Sequence, residues 1–269
     1  MKIQFTKMNG AGNDFVMLDN RSGSLKLSRG QIAKVCDRHR GAGADGLLLV
    51  EPSDTKGVDF RMRYYNSDGG EAEMCGNGAR CFARFVEKLG ACRNRVSFQT
   101  LAGVIRAELD GPTVRINLSE PAGLRLKEKV KLSGGEMEIS SLNTGVPHAV
   151  LMVDDADQAM VGPIGNEVRF HKHFAPKGTN VNFVQRLGGN SIRVRTYERG
   201  VEGETLACGT GVVASALISH ALFQVASPIS VKVQGGDMLE VSFRREGESF
   251  KEVFLKGPAD FTFEGSMEV

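Results

Sequence analysis

Cys208 has the residue type and the setting for acid–base or nucleophilic chemistry. It stands in the segment 207–211, Ala-Cys-Gly-Thr-Gly, and the run 212–223 that follows is apolar except for two serines and one histidine. A helix without a polar face is normally buried. Its first N–H groups have no intrahelical partner, and the helix dipole places partial positive charge there. The position therefore favours a thiolate and can hold an anion; the alternative interpretation is a small buried thiol in front of a core helix.

An internal repeat gives Cys208 a counterpart in Cys75. Aligning the two cysteines sets an offset of 133 residues (208 − 75), and seven of the 20 positions from 64 to 83 are then identical. Both cysteines are followed by Gly-x-Gly, and the same offset places Gly12 on Gly145. A repeat of nearly half the chain length predicts two similar domains with pseudo-twofold symmetry. We then expect the two cysteines to face each other across the domain junction, where ligand sites are common.

Two thiols at helix N-termini predict proton transfer at a carbon next to a carboxylate. The glycines let the backbone approach a ligand, and helix N-termini bind carboxylates. One thiolate can remove the α-proton from one face while the opposite thiol delivers a proton to the other, which inverts the stereocentre. This scheme requires no cofactor, and the sequence offers no obvious lysine for pyridoxal phosphate. The five histidines show no metal-ligand spacing, so we predict no metal site.

The composition is that of a soluble globular protein. The chain has 269 residues, 41% hydrophobic residues and a net charge of +2. Charge so close to neutral argues against nucleic acid or an anionic membrane as a partner. The first ten residues lack a signal-type apolar stretch and no apolar run reaches 18 residues, so we expect a cytoplasmic protein. Five cysteines without a Cys-x-x-Cys pair predict reduced thiols rather than disulfides.

The apolar pattern predicts many short strands and few helices. We expect helices at about 28–38, over 76–89 and in the apolar run after Cys208, with Arg80 and Arg84 on a solvent face of the second one. Strands in close order around a few helices indicate an α+β fold rather than a doubly wound sheet. The segment 119–123, Ser-Glu-Pro-Ala-Gly, is the candidate domain boundary. It predicts an N-terminal domain over 1–118 and a C-terminal domain over 119–257.

Five motifs, in order between Lys7 and about Phe223, resemble diaminopimelate epimerase. They are Gly12-Asn13-Asp14-Phe15, Met74-Cys75-Gly76-Asn77-Gly78-Ala79-Arg80-Cys81, Gly178-Thr179-Asn180-Val181-Asn182-Phe183, Tyr197-Glu198-Arg199-Gly200 and Ala207-Cys208-Gly209-Thr210-Gly211. The resemblance implies a cofactor-independent epimerase that interconverts LL- and meso-2,6-diaminopimelate in lysine and peptidoglycan-precursor synthesis. It also implies two pseudo-symmetric domains, each a barrel-like, mainly antiparallel sheet around a central helix. The strand over 258–269 is then expected to return to the first domain.

The resemblance implies roles for individual residues. Cys75 and Cys208 match the acid/base pair. The helix starts that hold the reacting carboxylate match Gly76, Asn77, Gly209 and Thr210. Substrate-binding positions match Asn13, Asn66, Asn180, Glu198 and Arg199. Arg199 suits the distal carboxylate through its bidentate fork, while His148 and Glu198 match groups that tune thiol ionisation.

Three departures from the family pattern affect the distal end of the substrate. Val146 stands where Asn is common, Gly46 stands where Gln is frequent, and the pair Val201-Glu202 is one residue longer than usual. A racemase of another amino acid, such as proline, is therefore an alternative. An alternative from a different class is a redox protein in which Cys75 and Cys208 form a reversible disulfide. The expected partner is a small amino acid, and a homodimer is possible.

Overall fold

The computed structural model describes residues 1–269, and the chain folds into two units. Unit 1 consists of Met1–Asn117 and Lys256–Val269, and unit 2 consists of Leu118–Leu255. Each unit is a strand-rich sheet with one long buried helix, so the predicted α+β class is confirmed. None of the helices is both long and apolar enough to cross a membrane.

The sheet of unit 1 places strands from both ends of its sequence side by side. Its strands are β1 (Lys2–Gly10), β2 (Asn13–Asp19), β3 (Gly46–Pro52), β4 (Phe60–Asn66), β5 (Glu71–Ala72), β6 (Arg95–Thr100), β7 (Gly103–Asp110), β8 (Thr113–Asn117) and β18 (Asp260–Glu268). β18, β1 and β2 are antiparallel neighbours, β2 and β3 are parallel, and β3 and β4 are antiparallel. β4 then pairs antiparallel with β5 and parallel with β6, and β6, β7 and β8 form a meander.

Unit 2 repeats this order of pairings. Its strands are β9 (Ala122–Leu132), β10 (Gly135–Asn143), β11 (Pro147–Met152), β12 (Asn180–Gly188), β13 (Ser191–Glu198), β14 (Gly203–Thr205), β15 (Ile229–Lys232), β16 (Met238–Glu246) and β17 (Ser249–Pro258), whose residues from Lys256 onward belong to unit 1. β9, β10 and β11 are antiparallel neighbours, β11 and β12 are parallel, and β12 and β13 are antiparallel. β13 pairs antiparallel with β14 and parallel with β15, which pairs antiparallel with β16. The predicted internal repeat is therefore present in the topology.

The two long helices begin directly after the two cysteines. α2 spans Gly76–Lys88 and packs against β1, β2, β3, β7 and β8 of its own unit; α4 spans Gly209–Phe223 and packs against β10, β11, β12, β13 and β16. The stretch 211–219 of α4 is buried on all sides, as its uniformly apolar sequence predicts. The helix ends at Gln224, whose left-handed conformation (φ 56°) stops the helical path.

Arg80 contradicts the predicted solvent face of α2, because it is 0% exposed. Its guanidinium donates to Asn77 Oδ1 at 2.9 Å and to the Pro258 carbonyl at 3.2 Å. A buried charge of this kind is tolerated only when it is hydrogen-bonded. The partner at Pro258 is 178 residues away in the chain, so helical spacing gave no sign of it.

Two shorter helices flank the sheets. α1 (Arg29–Cys36), in the predicted range of about 28–38, begins at a capping box in which Ser28 and Gln31 bond each other's backbone N–H. α3 (Val161–Arg169) and the 3₁₀ turn Lys172–Phe174 were not apparent in the sequence. Glycine and proline in the first turn of α3 conceal its helical pattern.

Candidate active site

Cys75 is the N-cap residue of α2. Its extended backbone (φ −136°, ψ 122°) leads into the helix, and its Sγ accepts a hydrogen bond from the Gly78 N–H at 3.5 Å. The thiol donates to Asn13 Oδ1, also at 3.5 Å. The Asn13 amide has a fixed orientation because its Nδ2 donates to Asp45 Oδ2 at 2.6 Å, and a carboxylate only accepts. Asn13 thus presents an acceptor to Cys75, which suits a protonated thiol.

An ion-pair cluster holds the strand that carries Asn13. Lys7 Nζ, on a side chain that is almost fully buried, lies 2.7 Å from Asp14 Oδ2. Arg38 donates to both oxygens of Asp14, at 2.9 and 2.8 Å, and to Asp45 Oδ1 at 2.7 Å. Burial raises the pKa of Asp14, but the hydrogen bonds from Arg38 and Lys7 outweigh it and keep this pKa well below its ordinary value. Asp14 therefore stays ionised, and the cluster fixes both Asn13 and its partner Asp45.

The first turn of α2 is anchored from inside the unit. Gly76 and Asn77 are its first two residues, and both are buried. Asn77 Oδ1 accepts from Arg80, whose guanidinium also reaches the Gly76 carbonyl at 3.5 Å. An anion at this helix start would meet the backbone N–H groups of the first turn.

Cys208 is the N-cap residue of α4 and is 7% exposed. Its Sγ lies 3.6 Å from Thr210 Oγ1, and Thr210 Oγ1 lies 3.0 Å from His148 Nε2. Burial, and to a lesser degree the positive charge of Arg199, lowers the pKa of His148 to about 3. The imidazole is consequently neutral at physiological pH. Gly209, between the cysteine and the threonine, is the first residue of the helix and is half-buried.

Asn182 occupies the other side of the His148 ring. Its Nδ2 lies 3.2 Å from His148 Nδ1 and donates to the Ala149 carbonyl at 2.9 Å. Its Oδ1 accepts from the Thr196 hydroxyl at 3.0 Å. All hydrogen-bonding positions of this buried amide are therefore directed by neighbours on β11 and β13.

The second glycine of each Gly-x-Gly motif allows the helix to lie close to the sheet. A Cβ at Gly211 would come within 2.3 Å of Asn182 Oδ1 and 3.3 Å of His148 Cε1. A Cβ at Gly78 would come within 3.3 Å of Leu48 Cδ1, with Phe15 Cε1 at 3.4 Å. The equivalent space is thus lined by hydrocarbon in unit 1 and by polar groups in unit 2. Internal packing, rather than a ligand, accounts for the glycine at 211.

Asn180 and Arg199 are joined to each other. Asn180 is buried, its Nδ2 donates to the Pro147 carbonyl at 3.1 Å, and its Oδ1 accepts from the Arg199 backbone N–H at 2.9 Å. The Arg199 guanidinium donates to the Lys177 carbonyl at 3.3 Å. Asn180 therefore positions the backbone of Arg199, and the Lys177 carbonyl holds the Arg199 side chain.

Glu198 and Asn66 occupy corresponding strand ends in the two units. Glu198 is the last residue of β13, and its Oε2 accepts from the Thr205 hydroxyl at 2.9 Å. Asn66 is the last residue of β4, its side chain is exposed, and its backbone N–H donates to the Gly70 carbonyl at 2.9 Å. Within unit 1 the structure thus brings Asn13 to Cys75, while Asn66 lies outside this contact.

All five cysteines are free thiols. No cluster of three or more His, Cys, Asp or Glu side chains that could hold a metal ion is present. Two of these thiols, Cys75 and Cys208, are the N-cap residues of the buried helices.

The sequence model described as diaminopimelate epimerase matches residues 5–122 and 140–262. The chain belongs to the diaminopimelate epimerase family. The diaminopimelate epimerase of Aquifex aeolicus (strain VF5) is 45% identical over 277 aligned residues that cover 98% of both chains. That of Archaeoglobus fulgidus is 40% identical and covers 100% of this chain and 98% of its own. The predicted resemblance is therefore confirmed, together with the isomerase class of the enzyme.

Solved structures share the fold at low sequence identity. A phenazine biosynthesis protein of the PhzF family from Bacillus anthracis superimposes with a TM-score of 0.76 at 13% identity and covers 100% of both chains. A probable proline racemase from Agrobacterium radiobacter K84 gives a TM-score of 0.73 at 15% identity, covering 99% of this chain and 92% of its own. At such identities the likeness concerns the fold alone, and it confirms the predicted architecture.

Two departures from the diaminopimelate epimerase pattern have local explanations. A Cβ at Gly46 would come within 2.6 Å of both Tyr64 Cε2 and the Tyr65 carbonyl, so a Gln side chain does not fit here. The longer turn after Arg199 is accommodated by Glu202, which adopts a left-handed conformation (φ 56°) and forms a 3.0 Å ion pair with Arg169. Nothing in the structure explains Val146.

Sequence reasoning missed the residues behind the two cysteines. Asn182 stands in a family motif without a predicted role and Asp45 stands in none of the motifs, yet each fixes a group that contacts a cysteine or its neighbour. One signal was available, because Asn180 and Asn182 fall on one face of the stretch 180–184 of β12, whose other residues are apolar. A buried amide in such a strand must find hydrogen-bond partners, which marks it as part of a network.

Proposed function

We propose that this protein interconverts LL- and meso-2,6-diaminopimelate without a cofactor, with Cys75 and Cys208 as the acid/base pair. The observation that carries the proposal is the repeated placement of a cysteine at the N-cap of a buried helix, in a chain 45% identical to a diaminopimelate epimerase. The reaction belongs to lysine biosynthesis.

The mechanism is a proton exchange at the α-carbon. One cysteine, as thiolate, removes the α-proton, and the electron pair moves towards the substrate carboxylate. The other cysteine, as thiol, delivers its proton to the opposite face, so the product has the inverted configuration and the thiolate has changed places. N–H groups at the starts of α2 and α4 stabilise the negative charge that develops on the carboxylate. The residues proposed for this role are Gly76, Asn77, Gly209 and Thr210.

The far end of the substrate is assigned to polar residues at strand ends. Arg199 binds the distal carboxylate, with Asn180 acting through its bond to the Arg199 backbone. Glu198 takes the reacting ammonium group, while Asn13 and Asn66 provide further polar contacts. His148 and Glu198 adjust the ionisation of the thiols, and two acid/base groups with unequal pKa values suit this reaction.

Solvent-deuterium exchange tests reaction and substrate together. We expect deuterium at the α-carbon of LL-diaminopimelate in deuterated water, and none in L-proline under the same conditions. C75A and C208A should each lower kcat by at least about 10²–10⁴-fold, the usual contribution of an acid/base group. C92A, which removes a half-buried thiol elsewhere in unit 1, is the control and should retain activity. Substantial turnover by C75A or C208A, or exchange with proline alone, would sink the proposal.

We also propose a division into domains at residues 118 and 119, with 258–269 completing the first domain. The contact units Met1–Asn117 with Lys256–Val269, and Leu118–Leu255, support this division. Limited proteolysis should cut first near the segment 119–123; initial cleavage within α2 or α4 would argue against it.

A homodimer and a cytoplasmic location are further parts of the proposal. Membership in a family of amino-acid biosynthesis supports the location. Sedimentation equilibrium should give twice the monomer mass of 29.1 kDa at micromolar concentration. A mass that stays at 29.1 kDa would exclude the dimer.

A further inference from the structure

A chain of hydrogen-bonded side chains in unit 2 ends at Cys208. It runs from Thr196 through Asn182 and His148 to Thr210, with successive heavy-atom distances of 3.0, 3.2 and 3.0 Å, and Thr210 Oγ1 lies 3.6 Å from Cys208 Sγ. The three members furthest from the cysteine are buried, at no more than 3% exposure. Water is therefore excluded from the inner part of the chain, and the protein alone sets the direction of each bond.

Asn182 sets the donor-to-acceptor direction of the hydrogen bonds in this chain. The Ala149 carbonyl accepts a hydrogen bond at 2.9 Å and has no proton to give, so the Asn182 atom that faces it is Nδ2. The second Nδ2 hydrogen is then directed at His148 Nδ1, 3.2 Å away. Asn182 Oδ1 accepts from Thr196. The orientation of this amide therefore follows from its backbone partner and not from an arbitrary choice between O and N.

His148 passes the same donor-to-acceptor direction on to Thr210. Because Nδ1 accepts from Asn182, the ring proton of the neutral imidazole is on Nε2, which donates to Thr210 Oγ1. Burial keeps the ring neutral. The Thr210 oxygen has then received one hydrogen bond, and its own proton is directed at the remaining neighbour, Cys208 Sγ. We propose that Asn182 is a positioning residue that holds His148 as its Nε2–H tautomer, so that the Thr210 hydroxyl donates to Cys208 and stabilises its thiolate.

The surroundings of the two cysteines differ in hydrogen-bond polarity. Cys75 meets the fixed acceptor Asn13 Oδ1 as well as the Gly78 N–H, both at 3.5 Å, whereas Cys208 meets the Thr210 hydroxyl. The Thr210 hydroxyl therefore favours the thiolate at Cys208, and the Asn13 acceptor favours the thiol at Cys75. Two charged residues, Glu198 and Arg199, follow Thr196 closely in sequence, at the end of β13. Glu198 accepts a hydrogen bond from Thr205, and Arg199 donates one to the Lys177 carbonyl. This inference rests on the proposed function only in treating Cys208 as an acid/base group.

Alkylation of Cys208 tests the inference without substrate. The rate of reaction with iodoacetamide is followed from pH 6 to 10, with each cysteine quantified by peptide mass spectrometry and Cys92 as the internal reference. T210V and N182L should lower the Cys208 rate at neutral pH about tenfold and move the midpoint of its pH curve up by about one unit, because a hydrogen bond to a charged group is lost. T210S retains the hydroxyl and should restore the rate. S215A, which alters another buried polar residue of α4, is the matched control and should stay within about twofold.

The tautomer of His148 gives an independent readout. Nitrogen-15 spectra of the ring should show a protonated Nε2 and an unprotonated Nδ1 in the parent protein, and N182L should disturb this pattern. If Nδ1 carries the proton, or if T210V and N182L alkylate like the parent, the inference is wrong. T210V decides the matter even if N182L does not fold. Normal alkylation results from a protein that does not epimerise diaminopimelate would refute the proposed function instead.

Discussion

Gly211→Ala isolates the close approach between α4 and the sheet of unit 2. In an ordinary helix this substitution is favourable, because alanine has a higher helix propensity than glycine by about 1 kcal/mol. Here the new Cβ would lie 2.3 Å from Asn182 Oδ1, more than an ångström inside normal contact. The Asn182 side chain must therefore move, or the helix must shift away from β12.

The cost follows from the contacts of Asn182. Its amide is held by the Thr196 hydroxyl, the Ala149 carbonyl and the His148 ring, and each such bond contributes about 1 kcal/mol. Disturbing all of them outweighs the gain in helix propensity, so we expect a net loss of about 2 kcal/mol in the free energy of unfolding. Activity should fall as well, because His148 loses its fixed partner.

Equilibrium unfolding in urea measures the effect. Gly162→Ala is the matched control, since Gly162 also lies in a helix of unit 2 but a Cβ there meets nothing within 4 Å. The control should be neutral or stabilised by up to about 1 kcal/mol. If Gly211→Ala unfolds at the same urea concentration as the parent, Asn182 or α4 can move at little cost in free energy, and the predicted loss of stability is wrong.

Three further perturbations have defined outcomes. Arg80→Met should lower the free energy of unfolding by about 2–4 kcal/mol in urea, because the buried carbonyl and amide oxygens that it bonds lose their donor; an unchanged value would contradict this. Because the pKa of His148 is lowered in the folded protein, only the unfolded chain binds a proton there between about pH 6.5 and 3. The free energy of unfolding should therefore fall by up to about 1.4 kcal/mol per pH unit on acidification through this range. His148→Gln should remove that part of the slope in a pH series of urea transitions. Asp14→Asn should lower the free energy of unfolding most above about pH 4, where the carboxylate of the parent is ionised in both the folded and the unfolded state. The difference in free energy of unfolding between variant and parent should shrink as the pH falls towards the lowered pKa of Asp14. A difference that stays constant across pH would refute the ion-pair role of Asp14.

The sequence was informative where a feature is written in consecutive residues. Both long helices could be predicted, because Cys-Gly-x-Gly precedes an apolar run at α4 and apolar residues at helical spacing at α2, and the repeat offset links them. The family motifs then supplied the candidate site residues. The α1 cap was also local, since Ser28 and Gln31 are three residues apart.

Features that depend on distant partners could not be predicted. Arg80 looked solvated because its spacing is that of a helix surface, but its partner Pro258 comes from the far end of unit 1. Asn182 stands in a family motif but has no predicted role, because its partners lie on two other strands. Gly46 looked like a lost substrate contact, whereas the ring of Tyr64 on the neighbouring strand leaves no room for a side chain. Each case depends on tertiary neighbours that no spacing rule supplies.

The matching order of strand pairings in the two units is what duplication of one ancestral half would leave. Such an ancestor would have worked as a symmetric pair of identical chains, with the same groups behind each cysteine. In one chain that carries both copies, a substitution in one copy does not appear in the other. The second glycine of the motif now faces Leu48 and Phe15 in one copy and Asn182 and His148 in the other. A single chain that carries both halves can thus give the two thiols unlike neighbours, which a homodimer of identical halves cannot.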